Sequence, residues 1–232
     1  MSPALGCGKL AKRRIEAAEP QRAVVTALKE DIILGLLKPR ERMAEWDLAQ
    51  RFGVKRHVIR VALLELEALG LVRHERNRGA SVRDFPLTEV EHIYDVREAL
   101  QERAARRIPL PASPDLLRAL GRIHADHQAA IARGDMRQVY HLNNQFHTAV
   151  FEASGNPYLC AAIERYATLA HAIRSHRIGD PRLLRQAAEE HAAIIDALRA
   201  GDRKRLVALC VDHIKPAKDA YLVSRQWERE TG

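Results

Sequence analysis

The chain is short of several features that identify whole classes of protein. Its three cysteines among 232 residues are odd in number and far apart, so no disulfide framework is indicated and a reducing compartment fits. No run approaches the roughly 18–20 apolar residues of a membrane span. The first 19 residues are basic but lack the apolar segment of a secretory signal, and we expect a disordered arm over residues 1–20. These absences predict a cytoplasmic protein with no membrane partner.

Motifs of the common enzyme classes are absent as well. The sequence has no nucleophile elbow, no phosphate-binding loop and no dinucleotide-binding fingerprint. Glu189 and Glu190 precede His191, but no HExxH spacing places a carboxylate between two metal-binding histidines of one helix. We therefore expect that the protein is not an enzyme.

Positive charge is concentrated in the first third of the chain. The formal net charge is +8 and the isoelectric point is about 9.7. Residues 1–84 carry 17 Lys and Arg against 11 Asp and Glu, whereas residues 85–232 carry 21 against 19. This imbalance favours an anionic partner for the first third, although charge alone does not identify that partner.

Residues 48–64 contain no Asp or Glu and include a basic segment with helical spacing. Arg56 and Arg60 are four residues apart, so they share one face of a helix. Apolar residues that suit the core follow on the other side: Ala62, Leu63, Leu66 and Leu69. A short helix with one apolar and one basic face is typical of a surface that binds an anion. The glycine-linked basic segments downstream favour nucleic acid as that anion.

The first third predicts a winged helix-turn-helix over residues 21–85. Three helices are expected at 22–36, 45–52 and 55–70. A hairpin of two strands, at 71–75 and 80–84, follows them. Pro39 stops the first helix, since proline disfavours helical backbone in the preceding residue, and Gly53 breaks the second. Gly79 tolerates the positive φ of a tight hairpin. In such a domain the second helix of the turn enters the DNA major groove, and the hairpin is free to reach phosphates or the minor groove.

The remainder of the sequence predicts a mainly α architecture, an antiparallel bundle of six to seven helices over residues 86–224. The expected helices cover 88–108, 114–133, 135–153, 157–178, 181–200 and 202–222. Each boundary is a helix stop followed by a helix start, built from Pro, Gly-Asp or Ser-Gly-Asn-Pro. No β pattern and no internal repeat competes with this interpretation. We expect residues 225–232 to form a C-terminal tail.

Two parts of the sequence resemble a known family. The segment GLLKPRERMAEWDLAQRFGVKRHVIRVALLELEALGLVRHERNRGASV, within residues 24–84, resembles the DNA-binding domain of GntR-type bacterial transcription regulators. The segments YDVREALQERAA, NNQFHTAVFEASGNPYL, EEHAAIIDALRAGD and VDHI, within residues 88–222, resemble the helical FCD effector domain of the FadR subfamily. The resemblance implies a transcription regulator, in most relatives a repressor. It also implies a homodimer that binds a palindromic operator in double-stranded DNA and responds to a small effector.

The resemblance assigns DNA contacts to the basic helix and the hairpin. Arg56 and Arg60 match the DNA-contacting arginines of the family. Further candidates lie at the helix start and in the wing: Lys55, His57, Arg76, Arg78 and Gly79. The family usually has Gly at Arg40, Ser or Thr at Lys55, Thr-Pro at His57-Val58 and Glu at Val61. Lys55 cannot cap the helix as Ser or Thr would, so we expect the same fold with a different operator.

A metal site in the helical domain is also implied by the resemblance. In the FCD family an Asp and three His bind a divalent metal, commonly zinc or nickel, and the matching residues are Asn143, His147, His191 and His213. Neutral imidazoles suit such ions, whereas Asn143 brings an uncharged amide in place of a carboxylate. The implied effector is a small carboxylate that coordinates the metal through its oxygens.

Other residues of the helical domain leave alternatives open. Arg97 and Arg174 are candidates for pairing with the effector carboxylate, or for ordinary salt bridges. We expect the histidines without a matching pattern at the surface or at helix ends: His92, His124, His127 and His141. The alternative function from another class is a metal-dependent enzyme or metabolite-binding protein with a vestigial DNA-binding module.

Overall fold

Our computed structural model describes residues 19–75, 79–174 and 180–231. The chain divides between Asp84 and Phe85 into two compact units. None of the described helices is both long enough and apolar enough to cross a membrane.

The N-terminal unit contains three helices and a small antiparallel sheet. Its elements are α1 (Pro20–Ile33), β1 (Arg42–Met43), α2 (Glu45–Phe52), α3 (Arg56–Ala68), β2 (Val72–Glu75) and β3 (Gly79–Val82). The strands pair in the order β1-β3-β2, with Val72 opposite Val82 and Met43 opposite Ala80. The buried side chains of α1 and α3 form much of its core. This arrangement confirms the winged helix-turn-helix that the sequence predicts.

Two details of this unit differ from the sequence prediction. Helix α1 ends at Ile33 rather than at residue 36, because Gly35 adopts a φ of +70° and Leu36 and Leu37 both donate their backbone N–H to the carbonyl of Asp31. Strand β1 was not predicted, since two residues are too few to show the alternation that identifies a strand.

Arg40 has a backbone conformation that suits glycine, the residue that the family resemblance predicts at this position. Its φ is +66°, in the left-handed region that favours glycine. Its side chain donates to Asp84, with Nε at 2.7 Å and Nη2 at 2.6 Å from Oδ2. The chain thus accepts a strained residue at this turn and adds an ion pair there.

The C-terminal unit is helical. Its described elements are α4 (Leu87–Arg107), α5 (Pro114–Arg133), α6 (Met136–Glu152), α7 (Pro157–Arg174), α8 (Pro181–Ala200), α9 (Arg203–Asp212) and α10 (Lys215–Thr231). Side chains that the sequence places at the boundaries cap α5, α6, α8 and α9 by accepting backbone N–H groups: Ser113, Asp135, Asp180 and Asp202. A core of Phe146, Leu120, Ile194 and their neighbours fills the interior. The structure confirms a mainly α protein with a winged helix-turn-helix unit at the N-terminus and a helical C-terminal unit.

The last predicted helix, over residues 202–222, is two helices. Pro216 causes the division, since a proline lacks the N–H of a helix interior and its ring clashes with the carbonyl four residues before it. It is tolerated in the first turn of α10, which starts at Lys215. The division leaves His213 at the C-cap of α9. Helix α10 then continues to Thr231, into the segment that the sequence predicts as a tail.

Candidate DNA-contacting surface and histidine cluster

The start of α3 presents a basic face to solvent. Gly53, at a φ of +66°, ends α2, and Lys55 takes the N-cap position of α3 in extended conformation without a side-chain capping bond. Lys55, Arg56, His57 and Arg60 are all exposed. The opposite face of α3 is buried through Ile59, Ala62, Leu63 and Leu66. The structure therefore brings together the four residues of α3 and its N-cap for which the sequence predicts DNA contacts.

A carboxylate that the sequence analysis missed holds both arginines of this face. Arg60 donates from Nε to Oε1 of Glu45 at 3.0 Å and from Nη2 to Oε2 at 3.1 Å. Arg56 donates from Nη2 to the same Oε2 at 3.3 Å. These hydrogen bonds lower the pKa of Glu45, and the bond from Arg60 has the largest effect. Glu45 precedes the arginines by 11 and 15 residues, so helical spacing within α3 carries no signal of it.

The wing is described only in part. Arg76 and Arg78 lie outside the described residues. Gly79 opens β3 with a φ of +78°. Among the described residues other than its chain neighbours, no heavy atom lies within 4 Å of the position that a Cβ would take there.

Three histidines from separate helices meet inside the C-terminal unit. His147 lies on α6, His191 on α8 and His213 at the end of α9. The Nε2 atom of His147 is 3.3 Å from Nε2 of His191 and 3.0 Å from Nε2 of His213. One ligand atom from each ring falls within 4.8 Å of the other two. Nitrogens bound to one tetrahedral ion at 2.0–2.1 Å would be roughly 3.3 Å apart, so this donor set fits a divalent metal.

Neighbouring side chains orient two of these rings. Nδ1 of His213 lies 2.5 Å from Oε2 of Glu190, and the carboxylate accepts the Nδ1 proton. The Nε2 lone pair of His213 is thereby left for a ligand. The ring of Phe146 stacks on His191 with a centroid distance of 4.0 Å and an angle of 18°.

A cavity of about 120 Å³ adjoins the cluster. Asn143, Glu190 and His213 all line it, so Asn143 faces the same space as the third histidine. Apolar side chains form much of the remaining described wall: Val139, Ile173, Leu183, Leu184, Ala187, Pro216 and Ala217. The cavity is of a size and chemistry that suits a small organic molecule with a polar end.

Of the two predicted effector-binding arginines, only Arg97 has a described side chain, and it does not line this cavity. Arg97 is buried on α4, where its guanidinium carbon lies 4.9 Å from the centre of the Tyr94 ring, and it is not among the residues that line the cavity. The backbone of Arg174 ends α7, but its side chain lies outside the described residues.

The prediction that His127 lies at the surface or at a helix end is wrong. It is 1% exposed in the interior of α5, it lines the cavity, and its ring centroid is 5.1 Å from that of His191. Burial lowers its pKa to about 4, and burial also lowers the pKa values of His124 and, well below the usual range, of His191. These imidazoles are therefore neutral near pH 7, which is the form that binds metals. A single sequence could not show that α5 directs this face toward α8.

Comparison with known proteins identifies both units. The model of the FCD domain matches residues 92–216, and that of the bacterial regulatory proteins of the gntR family matches residues 20–82. The chain is 28% identical to the uncharacterized HTH-type transcriptional regulator YdhC of Bacillus subtilis, over 76% of this chain and 80% of that one. It is 23% identical to the HTH-type transcriptional repressor RspR of Escherichia coli, over 86% of this chain and 87% of that one.

Solved structures share the fold. Escherichia coli McbR/YncC superimposes with a TM-score of 0.76 at 23% identity, covering 91% of this chain and all (100%) of that one. A putative transcriptional regulator GntR from Rhodococcus sp. RHA1 superimposes with a TM-score of 0.74 at 23% identity, covering 87% of this chain and 97% of that one. The curated relatives reported above are named as transcriptional regulators and not as enzymes. The chain belongs to the GntR family and is a transcriptional regulator with an N-terminal helix-turn-helix domain and a C-terminal FCD domain.

Proposed function

We propose that the protein is a homodimeric repressor that binds a palindromic operator through residues 21–85. Its operator affinity is controlled by a small carboxylate bound in the helical domain, residues 86–224, with a divalent metal, Zn²⁺ or Ni²⁺, as cofactor. The name of the relative RspR, a repressor, supports the sign of regulation. The observation that carries the proposal is the exposed basic start of α3, with Arg56 and Arg60 on one face.

Each arginine of that face can read DNA with the N–H groups that Glu45 does not use. A guanidinium that is bidentate to a guanine contributes about 1–3 kcal/mol of discrimination between bases. Glu45 accepts from Nε and Nη2 of Arg60, so the Nη1 protons and the second Nη2 proton remain for a guanine edge or a phosphate while the carboxylate fixes the orientation of the guanidinium. Lys55 and His57, which are exposed and adjoin Arg56 in the sequence, supply phosphate contacts. Arg76, Arg78 and Gly79 belong to the same proposal as the wing contacts.

The effector part of the proposal rests on the histidine cluster and its cavity. His147, His191 and His213 offer neutral nitrogens, and Asn143 on the wall of the adjoining cavity offers an amide oxygen in place of the carboxylate of relatives. A bound divalent ion would supply the positive charge that holds an effector carboxylate. Arg97 and Arg174 remain candidates for pairing with the effector. Effector binding then shifts the protein toward a state in which the two recognition helices of the dimer no longer fit one operator.

The DNA-binding part is tested with a double substitution, Arg56→Ala plus Arg60→Ala. We expect wild type to bind DNA from its own upstream region more tightly than random DNA at physiological salt, and the double variant to lose this preference. A matched control, Arg118→Ala plus Arg199→Ala, removes two exposed ion-paired arginines from the helical unit. This control should keep the preference for the upstream DNA. Wild-type protein that prefers no DNA would contradict the regulator proposal.

The metal part is tested by elemental analysis of purified wild type and His191→Ala. We expect close to one Zn²⁺ or Ni²⁺ per chain in wild type and a large loss in the variant. Equal, sub-stoichiometric metal in both proteins would contradict the site. The arginine double variant should keep its metal and its dimeric mass, because it changes only the DNA-contacting surface.

A further inference from the structure

His191 has two ring nitrogens in different situations. Its Nε2 atom faces His147 at 3.3 Å, on the side where the three histidines meet. Its Nδ1 atom is buried and meets no hydrogen-bond partner among the described residues. His213, in contrast, has the carboxylate of Glu190 on its second nitrogen. The cluster therefore contains one oriented histidine and one whose second nitrogen is still unmatched.

Binding of one metal ion through the facing atoms places the proton of His191 on this unmatched nitrogen. Nε2 of His147 faces Nε2 of His191 at 3.3 Å and Nε2 of His213 at 3.0 Å, and each of these atoms needs a lone pair to bind the ion. A neutral His191 that binds through Nε2 therefore holds its proton on Nδ1. In the same state Glu190 accepts the Nδ1 proton of His213.

His127 is the polar side chain within reach of that proton. It is 1% exposed, and its own Nδ1 is also buried with no hydrogen-bond partner among the described residues. The His127 and His191 centroids are 5.1 Å apart. Within the same cluster, ring pairs whose nitrogens are 3.3 and 3.0 Å apart have centroids 5.0 and 4.7 Å apart. The rings of His191 and His213 are also 5.1 Å apart and form no hydrogen bond among the described residues, so the ring of His127 is near enough to bond but has to turn to do so.

The two rings have different surroundings. Phe146 stacks on the face of His191 at 4.0 Å and holds its plane. His127 lines the cavity, so its ring can rotate about the Cβ–Cγ bond toward Nδ1 of His191. His124, three residues earlier on α5, is farther from His191, with a centroid distance of 6.3 Å.

We propose that His127 is a positioning residue of the metal site, which accepts the Nδ1–H of His191 when the site is loaded. This inference rests on the metal site of the proposed function and adds to it a residue that the three-histidine motif does not contain. His127 does for His191 what Glu190 does for His213, with a neutral imidazole in place of a carboxylate. The hydrogen bond holds His191 in the metal-binding tautomer and satisfies two buried nitrogens together.

The test measures Co²⁺ and Zn²⁺ affinity, with the visible absorption of bound Co²⁺ as a second reading, in wild type, His127→Leu and His127→Gln. We expect His127→Leu to weaken binding about 10–100-fold, as loss of an outer partner of a metal ligand typically does. His127→Gln retains an acceptor oxygen and should recover most of the affinity. His124→Leu is the matched control on the same helix and should bind within about twofold of wild type.

Metal-free unfolding separates positioning from general damage. Because His127→Leu replaces a buried imidazole with an apolar side chain, we expect its metal-free melting temperature to equal or exceed that of wild type. The inference is overturned if His127→Leu binds Co²⁺ as tightly as wild type, or if His127→Gln is as weak as His127→Leu. Failure of wild type itself to bind either ion would instead overturn the metal part of the proposed function.

Discussion

At the scale of single residues, two cations of the N-terminal unit stand at positions with special backbone requirements. Arg40 stands in a left-handed turn, and Lys55 stands where a helix cap would be. Each keeps the local fold while adding a cation to the N-terminal unit. Glu45 reduces the positive charge of this unit, because its one carboxylate pairs with both Arg56 and Arg60 of α3.

The conformation of Arg40 makes a stability prediction. A non-glycine residue in the left-handed region costs about 1–2 kcal/mol, and an exposed ion pair such as that with Asp84 offsets at most about 1 kcal/mol of it. Arg40→Gly should therefore raise the free energy of unfolding by up to about 1 kcal/mol, measured by urea denaturation. Arg40→Ala keeps the strain without the ion pair and should be less stable than wild type. The reverse order of the two variants would contradict this account.

The contacts of Glu45 with both arginines predict that its replacement raises the affinity for random DNA and lowers the preference for the specific site. Glu45→Gln removes a negative charge beside the DNA-contacting surface and frees both arginines, so binding to random DNA should tighten about threefold or more. Preference for the specific site should fall about tenfold, within the range of one arginine–guanine contact. Titration of fluorescent specific and random duplexes measures both.

A control on the same helix isolates the positioning effect. Asp47→Asn removes the same charge from an exposed position of α2, where the described residues show no hydrogen bond or ion pair with Arg56 or Arg60. It should tighten random binding and leave the preference unchanged. An equal loss of preference in both variants would show that charge, and not orientation of Arg60, is the cause.

At the scale of elements, helix boundaries decide which side chains can meet. The interruption between α9 and α10 leaves His213 at a helix end, where its ring reaches both His147 and Glu190. Four helix N-termini of the bundle are capped by Ser or Asp side chains. The boundaries are therefore built into the sequence, and the position of the third histidine follows from one of them.

The cap of α9 gives a second stability prediction. Oδ1 of Asp202 accepts the backbone N–H of Arg205 at 2.9 Å. Asp202→Ala should lower the free energy of unfolding by about 1 kcal/mol, while Asp202→Ser, which also caps, should recover most of it. Thermal or urea unfolding of the metal-free protein measures the change. If the alanine and serine variants are equally destabilised, the loss does not come from the cap.

At the scale of the whole molecule, burial of several imidazoles links stability to pH. An unfolded chain protonates His127 near pH 6.5, whereas the folded chain does so only at a pKa of about 4. Between these values the unfolded state binds more protons, so stability decreases as pH falls through this window and is fully present above it. His191, whose pKa is lowered well below the usual range by burial, acts in the same direction.

We therefore expect the metal-free protein to lose stability continuously from pH 6.5 to pH 4. Urea unfolding at closely spaced pH values would measure the slope. His127→Leu should show a shallower dependence than wild type, because one of the groups that take up a proton on unfolding is missing. His92→Leu, at an exposed position, is the control and should follow wild type. Identical slopes for His127→Leu and wild type would contradict the linkage.

Local sequence was sufficient to predict most of the helices and strands and some of the residues of the candidate sites. Helical spacing, Pro and Gly-Asp boundaries and the acid-free basic helix predict the helices and the winged unit, because these signals act over a few residues. The family resemblance adds His147, His191 and His213, and the structure brings them within ligand distance of one another. The DNA, effector and metal roles of the named residues stay predictions until the experiments above are done.

Tertiary structure alone decided the partners across helices. Glu45 reaches Arg60 over 15 residues, Glu190 reaches His213 over 23, and His127 approaches His191 from another helix. No periodicity links such positions, since they become neighbours only when separate helices pack. Burial, which makes His127 and His191 neutral, likewise depends on that packing and has no local signal. The sequence determined that this chain would form a winged unit and a helical bundle, and packing determined which side chains face one another inside them.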